Sequence, residues 1–319
     1  MRLAFLFPGQ GAQKVGMGRA LAEAHPEARE VFEIADRTLG FPLSTLCWEG
    51  PLEELTRSVN AQPALLAHGV AAWRLVAAAG FRPEWVAGHS LGEYSACVVA
   101  GAIDLEDALR LVRRRGELMS QAGVERPGTM AAILGLPDAE VEAACAEAAA
   151  AGVVVAANYN APGQVVISGE IAAVEQACER AKTRGARRAL RLEVSGAFHS
   201  PLMASAAHGL QQALEGVTLR DARCPILANV TGEPVRRADE IRTALARQLQ
   251  GAVRWGRTMR RLVDEGATFV ELGTGAVLRG LLRSTERQAT CWNVEDPDSL
   301  QATLAGLGAP AIPISGKET

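Results

Sequence analysis

The pentapeptide Gly88-His89-Ser90-Leu91-Gly92 limits how this chain can fold more than any other stretch. It follows a short apolar run, Trp85-Val86-Ala87-Gly88, and precedes a helical pattern that begins just past Ser90. A GxSxG set between a strand and a helix implies a sharp turn that exposes the serine hydroxyl, with small residues relieving the crowding. The helix N-terminus behind that turn aims free N–H groups at any oxyanion formed beside Ser90.

The flanking sequence reads as α/β. Leu3 to Phe7 is an apolar run that ends at Pro8 and Gly9, which suits a buried strand entering a loop. Helical patterns cover Pro26 to Leu39 and Pro63 to Ala79, and a strong one runs from Asp104 to Ser120 with Asp104 placed to cap it. Between Thr129 and Glu193 the order becomes strand, helix, strand, tight turn, strand, helix, strand, the β-α-β-β-α-β pattern of a ferredoxin-like unit. Its central turn is Asn160-Ala161-Pro162-Gly163. Helices near Pro201 to Leu214, Asp239 to Leu249 and Val253 to Asp264 then surround strand candidates at Pro225 to Val230 and Thr268 to Leu272. These patterns predict a discontinuous large α/β domain over 1–125 and 195–307, an inserted small domain over 126–194 and a loose tail over 308–319.

Composition narrows the function classes. With 319 residues, 48% of them hydrophobic, the chain can bury a full core. No apolar run reaches membrane-spanning length and no signal-peptide pattern opens the chain, so the expectation is a soluble, cytoplasmic protein with no membrane partner. A net charge of -3 gives no electrostatic footprint for nucleic acid. Cys47, Cys97, Cys145, Cys178, Cys224 and Cys291 are scattered singly, which suggests neither a disulfide framework nor a metal site.

A serine hydroxyl needs a base to act as a nucleophile. His25 and His68 lie in helical patterns without special surroundings, and His89, next to Ser90 on a turn, is better placed to line a pocket than to take its proton. His199 stands in a loop between the last strand of the insert and the helix near Pro201, a good mount for a base. Asp104, Asp107, Asp138 and Glu193 lie between serine and histidine, yet each has a sufficient role as a cap or surface charge, so a third member stays open. Arg115 falls in the apolar stripe of its helix, where it would lose hydration unless it met an anion. Two readings of it stand: an ion pair with a buried carboxylate, or a bidentate clamp on a substrate carboxylate.

Taken together, FPGQGAQ, Gln62-Pro63-Ala64-Leu65, GHSLGEYSA, Arg115-Gly116, Asn158-Tyr159-Asn160-Ala161-Pro162-Gly163-Gln164 and SGAFHSPLM resemble the malonyl-CoA:acyl-carrier-protein transacylases, in order and spacing, to about residue 300. The resemblance implies an α/β-hydrolase-like large domain with an inserted ferredoxin-like small domain. It implies Ser90 as the acylated nucleophile, His199 as its base and Arg115 as the group that binds the malonyl carboxylate. It also implies an oxyanion hole made by the backbone N–H groups of Gln10 and Leu91, and orientation of His199 by the backbone carbonyl of Gln248. His89, Asn160 and Phe198 are expected to line the substrate site, and an aromatic residue at 198 goes with malonyl rather than methylmalonyl in related polyketide acyltransferases. The reaction implied is ping-pong transfer of malonyl from coenzyme A to a carrier protein's phosphopantetheine, supplying fatty acid synthesis, with no metal or redox cofactor and a monomeric enzyme. The alternatives are a free-standing acyltransferase that loads polyketide carrier domains and a serine thioesterase.

Overall fold

An apolar strand with all five residues buried, as Leu3–Phe7 is, needs a sheet neighbour on each side and helices over both faces. The computed structural model, which describes residues 1–311, supplies both. Its strands are β1 (Leu3–Phe7), β2 (Trp85–Gly88), β3 (Thr129–Leu134), β4 (Val154–Ala161), β5 (Gln164–Gly169), β6 (Arg188–Arg191), β7 (Ile226–Leu227), β8 (Pro234–Val235), β9 (Thr268–Leu272) and β10 (Cys291–Val294). One sheet runs in the order β10-β9-β1-β2-β7-β8 and is parallel except for the short β7–β8 pair. The C-terminal ends of β1 and β2, at Phe7 and Gly88, therefore lie side by side.

The second sheet is antiparallel, in the order β4-β5-β3-β6, with the helices Asp138–Ala148 and Ile171–Thr183 packed on one face. Strand alternation assigns its two faces. Val165 and Ile167 of β5 join the small apolar cluster beneath those helices, while Val166 between them joins the main core. A backbone bridge links the sheets' surroundings: Tyr159 N–H donates to Val253 O at 2.8 Å, and Val253 N–H to Ala157 O at 2.8 Å. The chain is thus a mixed α/β protein with an inserted ferredoxin-like layer.

Several elements depart from their expected bounds. The helix expected from Pro63 begins at Ser58 and carries Pro63 inside it. Proline offers no N–H to the carbonyl four residues back. Arg113 supplies the missing donor, its NH1 lying 3.2 Å from Val59 O. Asp104 occupies the N-cap position of the helix Leu105–Glu125 without capping it; its carboxylate is held instead by both terminal nitrogens of Arg220, at 2.8 and 2.9 Å. Asn160 and Ala161 belong to β4, which leaves Pro162-Gly163 as the turn, with Gly163 at φ 68°. The expected tail over 308–319 lies outside the described residues from 312 onward.

Candidate active site

Backbone crowding shapes the turn after β2. A side chain at Gly88 would place its Cβ 1.9 Å from the Gly92 carbonyl, and one at Gly92 would come 2.1 Å from Phe7 O. Only glycines allow that closeness. Ser90, at the apex, is held at φ 51°, and the one other non-glycine residue with positive φ among those described is His199, at φ 57°. Backbone strain of this kind persists only where the surroundings over-determine it. For Ser90 they do: its N–H donates to Asn229 Oδ1 at 2.7 Å, and Asn229 Nδ2 donates to Gly88 O at 2.7 Å. For His199, the next residue locks the loop: Ser200 Oγ donates to Ala197 O at 2.6 Å and accepts from Leu202 N–H at 3.2 Å.

These two residues meet across the sequence, with Ser90 Oγ 2.8 Å from His199 Nε2. His199 Nδ1 lies 2.9 Å from Gln248 O. A carbonyl only accepts, so Nδ1 carries the ring proton and Nε2 is left free to accept from the serine hydroxyl. Burial, reinforced by the Arg115 charge, pushes His199 down to about 3, so the ring is neutral at ordinary pH. Among the described residues no acidic side chain bonds to the ring; the partner of Nδ1 is a backbone carbonyl.

Arg115 is 1% exposed and reaches the same point. Its NH2 lies 3.1 Å from Ser90 Oγ and 2.9 Å from Gln248 Oε1, and its NH1 lies 2.8 Å from Gln62 Oε1. Gln62 comes within reach because the helices Ser58–Ala78 and Leu105–Glu125 cross at Gly116, where any side chain would meet Ser58 O at 2.6 Å. Among the described residues no carboxylate pairs with Arg115, and its Nε has no partner. Every polar contact it makes is to a neutral group. A buried guanidinium bonded only to neutral groups keeps the capacity to form a charge-assisted bond with an anion.

The remaining expected residues divide into those at the serine and those set back from it. Leu91 follows Ser90, and the Gly9-Gln10 segment lies against the turn, with His89 N–H donating to Phe7 O at 3.0 Å. Among the described residues neither the Gln10 nor the Leu91 backbone N–H meets a protein acceptor, while Gln10 Nε2 donates to Ser58 Oγ at 3.0 Å. His89 and Asn160 are bonded to each other, Nε2 to Oδ1 at 2.8 Å, with the imidazole tilted against Trp255 at 5.5 Å between centroids. That contact ties β4 to the serine turn. Phe198 is buried beside His199.

The sequence reading does not single out Asn229, Glu93 or the Gln248 side chain. Gln248 alone makes four bonds here, accepting from His199 through its backbone and from Arg115 through Oε1, and donating through Nε2 to Ser90 O at 2.9 Å and to Glu93 Oε2 at 2.5 Å. The one local cue was a glutamine at the end of an amphipathic helix, where a charged residue would be commoner.

The chain and its fold resemble known proteins. The family model described as acyl transferase domain matches residues 4–308. The chain is 44% identical over 308 residues to the malonyl CoA-acyl carrier protein transacylase of Bacillus subtilis, covering 96% of this chain and 97% of that one. The crystal structure of acyl-carrier-protein-S-malonyltransferase from Bartonella henselae superposes with a TM-score of 0.92 at 42% identity, over 97% of this chain and all of that one (100%). A malonyl-transacylase solved in complex with a type II PKS acyl-carrier protein gives a TM-score of 0.93 at 42% identity, over 96% of this chain and 100% of its own.

Proposed function

The chain belongs to the malonyl-CoA:acyl-carrier-protein transacylases of the acyl transferase family, and we propose that Ser90 is the residue that carries the malonyl group from one thiol to the other. The enzyme moves malonyl from malonyl-CoA to an acyl carrier protein. In the proposed mechanism Ser90 Oγ attacks the thioester carbonyl while His199 Nε2, 2.8 Å away, takes the hydroxyl proton. The backbone N–H groups of Gln10 and Leu91 receive the oxyanion. The carbon–sulfur bond breaks, coenzyme A leaves with the proton from His199, and malonyl remains as an ester on Ser90. The phosphopantetheine thiol of the carrier protein then gives its proton to His199 and attacks that ester, and the proton returns to Ser90. Gln248 O holds the ring for both passes. Ping-pong kinetics follow.

The observation that carries the malonyl assignment is the Arg115 NH2 at 3.1 Å from Ser90 Oγ, buried and without a carboxylate. In a malonyl ester the free carboxylate is two carbon–carbon bonds of about 1.5 Å each beyond the ester carbonyl carbon, so a group hydrogen-bonding distance from Oγ is within its reach. An acetyl group would leave the buried guanidinium without a directly bonded anion and forfeit that charged contact, at a cost on the order of several kcal/mol. Phe198 beside the base is the proposed barrier to a methylmalonyl branch, and His89 with Asn160 the proposed wall toward β4.

Incubation with malonyl-CoA, then intact mass and peptide mapping, should find malonyl on Ser90. Acetyl-CoA should label weakly, and Arg115→Ala should reverse the preference. Equal labelling by both donors in the parent protein would defeat the assignment. Fatty acid synthesis is the proposed destination of the malonyl group; a polyketide carrier is the second reading, favoured by the solved relative that is paired with a type II PKS carrier. Steady-state rates with purified carriers of the two kinds decide between them.

A further inference from the structure

Glu93 is a buried acid beside Arg115 that the steps above leave without a task. It stands in the first turn of the helix Gly92–Val99, 1% exposed. One carboxyl oxygen accepts from Gln248 Nε2 at 2.5 Å and the other from the Asn229 backbone N–H at 3.3 Å. The same Gln248 amide turns its oxygen toward Arg115 at 2.9 Å. A single neutral amide therefore stands between a buried cation and a buried acid, oxygen to the cation and N–H to the acid, as the charges of an ion pair would orient it.

The consequence lies in the count of charges. An ionised Glu93 balances Arg115 at one remove, and the guanidinium NH2 beside Ser90 meets only neutral acceptors, Ser90 Oγ and Gln248 Oε1. When a substrate carboxylate docks there, two anions face one cation among side chains as buried as Glu93 and Arg115, an arrangement that strongly favours a proton on one of them. The substrate carboxylate takes the direct bonds to Arg115; Glu93 reaches it only through an amide. Glu93 is the one that gives way.

We propose that Glu93 is a switchable counter-ion of Arg115, ionised in the empty site and protonated when the substrate carboxylate binds, so that selectivity for carboxylated acyl groups is coupled to proton uptake. The proposal rests on Arg115 as the carboxylate clamp. Glu93 acts on the substrate through Arg115 and is in that sense a positioning residue.

The titratable neighbours are in keeping with it. Burial pushes Glu93 up to about 7, against the opposing pull of Gln248, Asn229 and Arg115. On its own helix, burial raises Tyr94, and burial together with Glu93 raises Cys97 well above the usual thiol range. From the loop after the β6 strand, His199 is held near 3, and from the serine turn His89 is lowered by burial. Arg115, on the helix Leu105–Glu125, is lowered by burial and remains a cation. Glu93 is the acid of this set that burial brings to about 7. A second anion on Arg115 cancels part of the attraction that favours its ionised form, which raises it further; by linkage, a carboxylated donor binds less well as pH rises past about 7 and an uncharged acyl donor does not.

The test is the ratio of kcat/KM for malonyl-CoA to that for acetyl-CoA across pH, in the parent enzyme, Glu93→Gln and Arg115→Ala. The ratio cancels the ionisation of His199 and of the departing thiol, which both donors share. In the parent it should fall roughly tenfold or more between pH about 6 and about 9, and in Glu93→Gln it should be flat. A flat parent ratio, or a variant that tracks the parent, overturns the proposal. Loss of malonyl preference in Arg115→Ala alongside a flat parent ratio leaves the clamp standing and removes only the counter-ion, whereas a preserved preference in Arg115→Ala removes the clamp itself. Should Glu93→Gln fail to fold, the parent alone decides: in weakly buffered solution near pH 8, malonylation should take up protons in excess of acetylation, approaching about one per site, and equal uptake sinks the idea.

Discussion

The two sheets rest on cores of different kinds. Beneath the four-stranded sheet the cluster is apolar, mostly aliphatic from Ala131, Ile133 and Val165 to Ala173 and Val174 with Cys145 among them, and no charged side chain is buried between β3 and β6. The core around the six-stranded sheet instead encloses Glu93, Arg115, His199, Gln62, Asn229 and Gln248, most of them joined by hydrogen bonds. Polar groups in a dry interior are costly unless each is paired, and a network of them is worth keeping only if something other than stability depends on it. The small layer is built to hold together. The large one holds a polar island at the end of β2, and the only two strained non-glycine residues among those described, Ser90 and His199, face each other within it.

The sharpest way to test that contrast is to remove the hydroxyl on which the island converges. Ser90→Ala should lower malonyl transfer by at least about a thousandfold, because the covalent intermediate can no longer form. Its melting temperature should stay close to the parent's, since Asn229 still clamps the backbone at residue 90. A variant that kept a tenth of the rate would place the nucleophile elsewhere and dissolve the distinction between the two cores.

Asn229 should show the next largest effect, and on both axes. Asn229→Ala leaves the Ser90 N–H and the Gly88 carbonyl without their partner in a buried turn. That should cost about 2–4 kcal/mol of stability and on the order of tenfold to a hundredfold in kcat, as the serine loses its strained pose. Urea unfolding and single-turnover rates on the same preparation separate the two losses. If stability falls with kcat unchanged, the clamp serves the fold alone.

Asn229 also marks where sequence reading stops. β1, the serine turn, the helix that carries Arg115 and the four-stranded layer are all legible, because each announces itself through local periodicity or turn chemistry. Arg115 is legible as well, because a cation in an apolar stripe breaks a local rule. Asn229 is 139 residues from Ser90 and Glu93 is 155 from Gln248, and nothing near any of them in the chain records the pairing. Asp104 fails for the same reason in reverse: its position is that of a cap, but Arg220, distant in sequence, claims the carboxylate. β8, of two residues, and β10, an edge strand only partly buried, are too short or too exposed to leave a pattern.

Ile167→Ala probes the other side of the comparison and should have the smallest effect on chemistry. Ile167 is 1% exposed on β5, the strand between β4 and β3, and its side chain belongs to the aliphatic cluster, on the face away from the main core. Truncation there loses the transfer energy of the removed carbons and leaves a cavity that rigid strands on both sides cannot close, for about 2–4 kcal/mol. The rate has no such route. From Ile167 to Ser90 the path runs through the sheet to β4, then across the Asn160–His89 bond to the serine turn, and none of those backbone positions depends on how the helices on the far face pack. At a temperature where the variant is folded, kcat with malonyl-CoA and carrier protein should therefore stay within about twofold of the parent while the unfolding midpoint drops. A parallel fall in kcat would mean that the packing of the small layer sets the position of β4 against His89, and that the two cores are one device.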